Sequence, residues 1–172
     1  MGEQENKFRE IEMRAQAGEA ESQCTLAFYY VQGKGVAQNA AKAVEWYTRA
    51  AEQGNTFALY NLADMHARGS GTARDIQRAI ELYKLAAGAG DIDAEFCLGL
   101  IFDRGDGVEQ DLDQAIYWYT RAAEKGSARA QYDLGVIYRE GRGVVPDDET
   151  ARRWFLEAAS NGVALAQQAL EE

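Results

Sequence analysis

Gly-x-Gly pairs stand at Gly33 and Gly35, Gly69 and Gly71, Gly105 and Gly107, and Gly141 and Gly143, each pair 36 residues after the one before. A second series, Gly18, Gly54, Gly90, Gly126 and Gly162, keeps the same spacing, as do the alanine pairs Ala50-Ala51, Ala86-Ala87, Ala122-Ala123 and Ala158-Ala159. A fixed period of about 20 to 50 residues marks an array of structural repeats, each burying its apolar face only against its neighbours. Residues 1–172 are therefore expected to form one elongated repeat domain. Its phasing is a half repeat at 3–18, full repeats at 19–54, 55–90, 91–126 and 127–162, and a half repeat at 163–172.

Each repeat reads as two helices. In the second, Ala58, Leu62, Met65 and His66 fall at i, i+4, i+7 and i+8, one stripe of a first helix. The corresponding stripes are Ser22, Leu26, Tyr29, Tyr30, then Ala94, Leu98, Ile101, Phe102, and Ala130, Leu134, Ile137, Tyr138. Beside each leucine stands a small residue, Ala27, Ala63, Gly99 or Gly135, where a bulkier one would hold helices apart. A second helix starts at Asn39, Asp75, Asp111 or Asp147, whose side chains accept hydrogen bonds from unpaired N–H groups at a helix start. It carries Trp46 and Tyr47, Leu82 and Tyr83, Trp118 and Tyr119, or Trp154 and Phe155 against small alanines, and closes at a glycine suited to left-handed backbone. At the ends, Phe8, Ile11 and Ala15, and then Ala166 and Leu170, continue the core phases. The glutamates Glu3, Glu5, Glu10, Glu12, Glu171 and Glu172 suit polar caps.

The Gly-x-Gly pair follows no strand and precedes no Lys-Ser/Thr, so the phosphate-loop and dinucleotide fingerprints both fail. It reads as the turn between the two helices, with Val36, Val108 or Val144 returning towards the core and Thr72 departing from that pattern.

Composition narrows the function classes. The chain is 47% apolar and 27% charged, as in soluble globular proteins, with no apolar run of the roughly 20 residues that cross a bilayer. The polar start "MGEQENKFRE" lacks the apolar stretch of a secretory signal, so a soluble, cytoplasmic chain without membrane insertion is expected, and a monomer. A net charge of −10 argues against nucleic acid, whose phosphates need clustered Lys and Arg. Cys24 and Cys97 lie two periods and one residue apart. With roughly 10 Å between packed helices, that is far beyond the roughly 7 Å a disulfide spans, so both are expected as free thiols.

The stretches "ALYNLADMHARGSG…DIQRAIELYKLAAGAG" and "AQYDLGVIYREGRGVVPDDETARRWFLEAASNG" resemble Sel-one-like repeats, relatives of the tetratricopeptide repeats. The shared features are the 36-residue length, Ala-x-x-x-Leu-Gly/Ala-x-x-Tyr, Gly-x-Gly-Val, the Asp cap and Ala-x-x-Trp-Tyr-x-x-Ala-Ala-x-x-Gly. The resemblance implies an all-α fold, a right-handed α-solenoid of antiparallel helix pairs, and a role as a scaffold or adaptor that holds a protein or peptide. The cysteine pair carried by each repeat of some relatives is missing here.

Catalytic constellations are sparse. His66, the one histidine, holds the core phase of Tyr30, Phe102 and Tyr138 and reads as a packed, hydrogen-bonded ring. With one histidine and two separated cysteines, no zinc site of usual spacing exists. None of Ser22, Ser70, Ser127 and Ser160 begins Ser-x-x-Lys or sits in Gly-x-Ser-x-Gly. "DRGDGVEQD" places glycines where a calcium loop needs ligands. No catalytic residue, metal or cofactor is expected. The resemblance carries one alternative, the hydrolase-type or penicillin-binding activity attributed to some cysteine-rich relatives.

In relatives of the tetratricopeptide type, the outward phases of the first helices line a concave groove. Carried over, that implies a partner surface of Phe57, Tyr60, Asn61, Asp64, Arg68, Asp93, Phe96, Leu100, Arg104, Arg129, Tyr132, Asp133 and Glu140, with Glu21, Cys24, Thr25, Phe28 and Gln32 as the first repeat's equivalents. The competing reading is that Tyr60, Phe96 and Tyr132, which share one phase, wedge neighbouring helices apart.

Overall fold

A computed structural model describes residues 3–171, with side chains from residue 6 onward; the side chains of Glu3 and Glu5, and Glu172, lie outside the described residues. Those residues form ten α-helices and no strand. Helices α1 (Glu3–Gln16), α2 (Ala20–Gln32), α3 (Ala40–Glu52), α4 (Thr56–Arg68) and α5 (Ile76–Gly88) belong to one compact unit, Met1–Asp91. Helices α6 (Ile92–Arg104), α7 (Leu112–Glu124), α8 (Ala128–Glu140), α9 (Asp148–Ser160) and α10 (Ala164–Glu171) belong to a second, Ile92–Glu172.

Within the first unit α2 packs on α3 and α4 on α5 as helix hairpins, with α1 against α2 and α3 against α4 joining successive repeats. The second unit repeats the scheme with α6 on α7, α8 on α9, α7 on α8 and α9 on α10. Each is a stack of helix pairs of the α-solenoid kind. Leu26, Leu98 and Leu134 are fully buried and Leu62 is nearly so.

The four expected caps are present. Asn39, Asp75 and Asp111 accept from the backbone N–H groups of Lys42, Arg78 and Gln114 at 2.9–3.0 Å, and Asp147 accepts from Glu149 and Thr150. First helices are capped as well, α4 by Asn55 and α8 by Ser127, which the sequence reading did not assign. The small residue beside the leucine has a definite neighbour: a Cβ on Gly135 would lie 2.5 Å from the Phe155 ring, and one on Gly99 2.5 Å from Tyr119. It therefore admits the aromatic ring of its own repeat's second helix.

The Gly-x-Gly segments are turns, as expected, and their second glycine does more than reverse the chain. Gly71 has φ +74°, and a Cβ there would lie 2.3 Å from the Ala40 carbonyl carbon at the start of α3. Gly143 sits the same way against Leu112 at the start of α7. In repeats two and four the turn thus rests on the second helix of the repeat before it.

One phase of the first helices is buried and polar. Gln23, Glu95 and Gln131 are at most 5% exposed, while repeat two carries Leu59 there. Each polar member is met from the end of its own repeat's second helix, by Gln53, Lys125 or Asn161 at 2.7–3.0 Å. Gln23 and Gln131 also donate to the carbonyls of Ala15 and Ala123 in the preceding second helix. Where Leu59 removes the polar group, Ala89 removes its partner, so no buried donor is left unsatisfied.

Candidate binding surface

The outward phases of the first helices differ in what the packing leaves free. In the first unit Phe57 is 55% exposed, and the half-buried Tyr60 ring lies 5.7 Å from the ring of Tyr83. Asn61 donates to the Phe57 carbonyl at 2.7 Å, which leaves its amide oxygen open. Asp64 accepts from Arg68 Nε at 2.8 Å across one helical turn, an exposed pair of small energetic weight. Asn61, Asp64 and Arg68 come together on one wall of a cavity of about 380 Å³, with Gln38, Tyr47 and Ser70 on its other sides. The Tyr47 hydroxyl is buried with no hydrogen-bond partner, and burial first, then the nearby Cys24 thiol, raises its pKa above the ordinary phenol range.

In the second unit Arg129 of α8 donates to Asp93 of α6 at 2.9 Å, tying the exposed faces of two successive first helices. Its guanidinium also lies 4.7 Å from the centre of the Phe96 ring. Phe96 is only 6% exposed, packed 5.7 Å from Tyr119, so it belongs to the core; covered by Arg129, it presents no surface to a partner. Tyr132 makes the same ring pair with Phe155 at 5.7 Å. In all three positions the ring packs on a ring of its own repeat's second helix. Arg104 and Glu140 are exposed, and Leu100 is half-buried against the core.

Asp133 is half-buried on the same face. Burial, and then the neighbouring Asp103 carboxylate, push its pKa up to about 6, against the attraction of Arg104, Arg142 and Arg129. Asp103 itself accepts from Arg142 and from the Tyr119 hydroxyl. Sequence reasoning missed Tyr47, Asp103, Tyr119 and Arg142. Tyr47 and Tyr119 read there only as packing aromatics of the second helices, Asp103 only as the start of a rejected calcium loop, and Arg142 only as the middle residue of a Gly-x-Gly turn.

The chemistry on offer is recognition: ring faces, amides and mixed charges. Among the described residues no group of three or more His, Cys, Asp or Glu is placed to hold a metal ion, and no helix is long and apolar enough to cross a membrane. His66 is half-buried, and burial lowers its pKa; its Nδ1 is buried without a hydrogen-bond partner, unlike the bonded ring expected. Cys24 and Cys97 are free thiols, and burial, then Glu21, push Cys24 up to about 11, far from a reactive thiolate.

The Sel1 repeat family model matches residues 20–55, 56–91, 92–127 and 128–163, one residue later than the phasing read from the sequence. A Sel1 repeat protein from Oxalobacter formigenes is 36% identical with a TM-score of 0.88, over 98% of this chain and 69% of that one. The uropathogenic Escherichia coli protein c5321, a protective antigen with an SLR fold, is 35% identical with a TM-score of 0.88, over 92% of this chain and 34% of its own. Cysteine rich protein B of Helicobacter pylori, hcpB, shares the fold at 22% identity and a TM-score of 0.61, over 77% of this chain and 96% of its own. No protein of curated function matches the chain.

Proposed function

The chain belongs to the Sel1 repeat family, commonly protein-interaction scaffolds, and from that premise we propose that it is a non-catalytic adaptor holding a protein or peptide against the outward face of its first helices. The observation that carries the proposal is the cavity of about 380 Å³ in the first unit, where Asn61, Asp64 and Arg68 converge beside the unpartnered Tyr47 hydroxyl. Mixed polar groups around apolar walls suit an extended peptide or a partner helix. The exposed Arg104, Arg129 and Glu140 extend the chemistry over the second unit's own first helices.

The proposal further treats residues 1–172 as one repeat domain, monomeric and cytoplasmic. Its net charge of −10 favours basic partners over nucleic acid. Penicillin-binding or hydrolase activity is the lesser reading. The Cys24 thiol is held protonated by burial, and Ser22, whose hydroxyl donates to Glu19 at 2.9 Å, is itself buried.

The test is affinity capture with the tagged chain, followed by mass spectrometry, beside a variant carrying Asp64→Arg and Arg104→Glu. These substitutions reverse exposed or half-exposed charges and should leave thermal unfolding in place. A partner enriched by the parent and lost by the variant supports the adaptor reading. A partner retained by that variant but lost through Arg49→Glu, on α3, contradicts the assigned face.

A further inference from the structure

Three repeats build the same ring pair, with Tyr60 on Tyr83, Phe96 on Tyr119 and Tyr132 on Phe155, each at 5.7 Å between centroids. Repeat one breaks the series. Cys24 stands where the others carry Tyr60, Phe96 and Tyr132, and Tyr47, the second-helix ring of that repeat, has no ring partner among the described residues. Over Cys24 opens a depression of about 350 Å³, walled by Thr25, Asn55 and two exposed aromatic rings, Phe28 and Phe57. Tyr47 is only 1% exposed and lines the separate cavity beside Asn61 and Asp64, so it forms no wall of this depression. Glu21 is the one charged residue on the rim, exposed and without an ion-pair partner among the described residues.

We propose that this depression is a receptor for one aromatic side chain of a basic partner peptide, seated over the Cys24 sulfur between Phe28 and Phe57. The partner's ring then sits at the one repeat whose first helix carries no ring at this phase. The inference rests on the adaptor reading and names the class of residue its partner must offer. An aromatic ring suits the site because it gains sulfur–aromatic contact with Cys24 and edge or offset contact with two rings already exposed. A Lys or Arg beside that ring complements Glu21, the rim's unpaired carboxylate. Cys24 enters as a packing surface only, because burial holds its thiol protonated.

The test is a nuclear magnetic resonance titration of the whole chain with N-acetyl-phenylalanyl-lysine amide, beside N-acetyl-alanyl-lysine amide. The phenylalanyl probe is expected to shift the backbone amides of Cys24, Thr25, Phe28 and Phe57 saturably, with a Kd on the order of 1 mM, and the alanyl probe to leave them in place. Cys24→Phe, which builds the missing ring into the chain, should weaken the phenylalanyl probe at least about tenfold while keeping thermal unfolding unchanged or raising it. Phe28→Ala with Phe57→Ala, both exposed rings, should weaken it similarly, so the test does not hang on one substitution folding. Equal shifts with both probes, shifts centred on Asn61 and Arg68, or undiminished binding to Cys24→Phe would overturn the proposal. So would concentration-dependent shifts of the same amides without any probe, which would make a second copy of the chain the occupant. A captured partner that is lost with Asp64→Arg and Arg104→Glu but bound equally by Cys24→Phe overturns the ring receptor and leaves the adaptor reading supported.

Discussion

A side chain on Gly71 would bring its Cβ within 2.3 Å of the carbonyl carbon of Ala40, so the turn of repeat two lies directly on the first turn of α3 in repeat one. Gly54 has a similar φ, +79° against +74°, but a Cβ there would meet nothing within 4 Å. The two glycines separate backbone conformation from packing. Gly54→Ala should cost about 1 kcal/mol, the strain of a left-handed non-glycine residue. Gly71→Ala adds a clash with backbone and should cost more than about 3 kcal/mol. Denaturant unfolding of both variants measures the difference, and equal losses would show that the turn does not bear on the neighbouring repeat.

Glu95 is fully buried, with one carboxylate oxygen held by Arg121 and Lys125 at 2.8–3.0 Å and the other unpartnered. Removing both cations, Arg121→Ala with Lys125→Ala, leaves a buried charge uncompensated and should cost about 3–5 kcal/mol. Glu95→Leu with Lys125→Ala copies the Leu59 and Ala89 pair of repeat two and should fall within about 1 kcal/mol of the parent, because an apolar pair needs no partner. Unfolding free energies of the two double variants decide the matter.

Asp133 has a folded pKa of about 6, above the value near 4 of an unfolded chain. Between those values the folded state binds the extra proton, so this residue's contribution to stability falls as pH rises through the window and stays low above it. Asp133→Asn removes that dependence. At pH 7.5 the variant should be more stable than the parent by on the order of 1 kcal/mol, a figure reduced for partial solvent screening, and the gain should vanish by about pH 4. Stability measured across that range checks it; a constant difference at every pH would show that Asp133 titrates normally.

The 36-residue period, the four caps of the second helices and the buried leucines were legible because each is local: a phase within one helix, or one side chain at a helix start. Phe96 was not legible as a core residue. Its angular position faces outward, and what covers it is Arg129, one full repeat away. Asp133 was read only as part of the partner surface, and its half-buried setting escaped for a related reason, since its surroundings come from α6 and from the turn carrying Arg142. The polar phase of Gln23, Glu95 and Gln131 left a signal that went unread: Gln53, Lys125 and Asn161 change in step with it, and Leu59 is matched by Ala89. The sequence puts Cys24 at the phase of Tyr60, Phe96 and Tyr132, but whether a neighbour fills the gap left there depends on packing between helices.

The central claim, that the first helices carry the partner surface, is tested most directly by amide hydrogen exchange of the chain alone and with its captured partner. The account predicts added protection in α2 and α4 of the first unit and in α6 and α8 of the second, with α3, α5, α7 and α9 unchanged on their outer faces. Protection confined to those second helices, with none gained in α2, α4, α6 or α8, would contradict it.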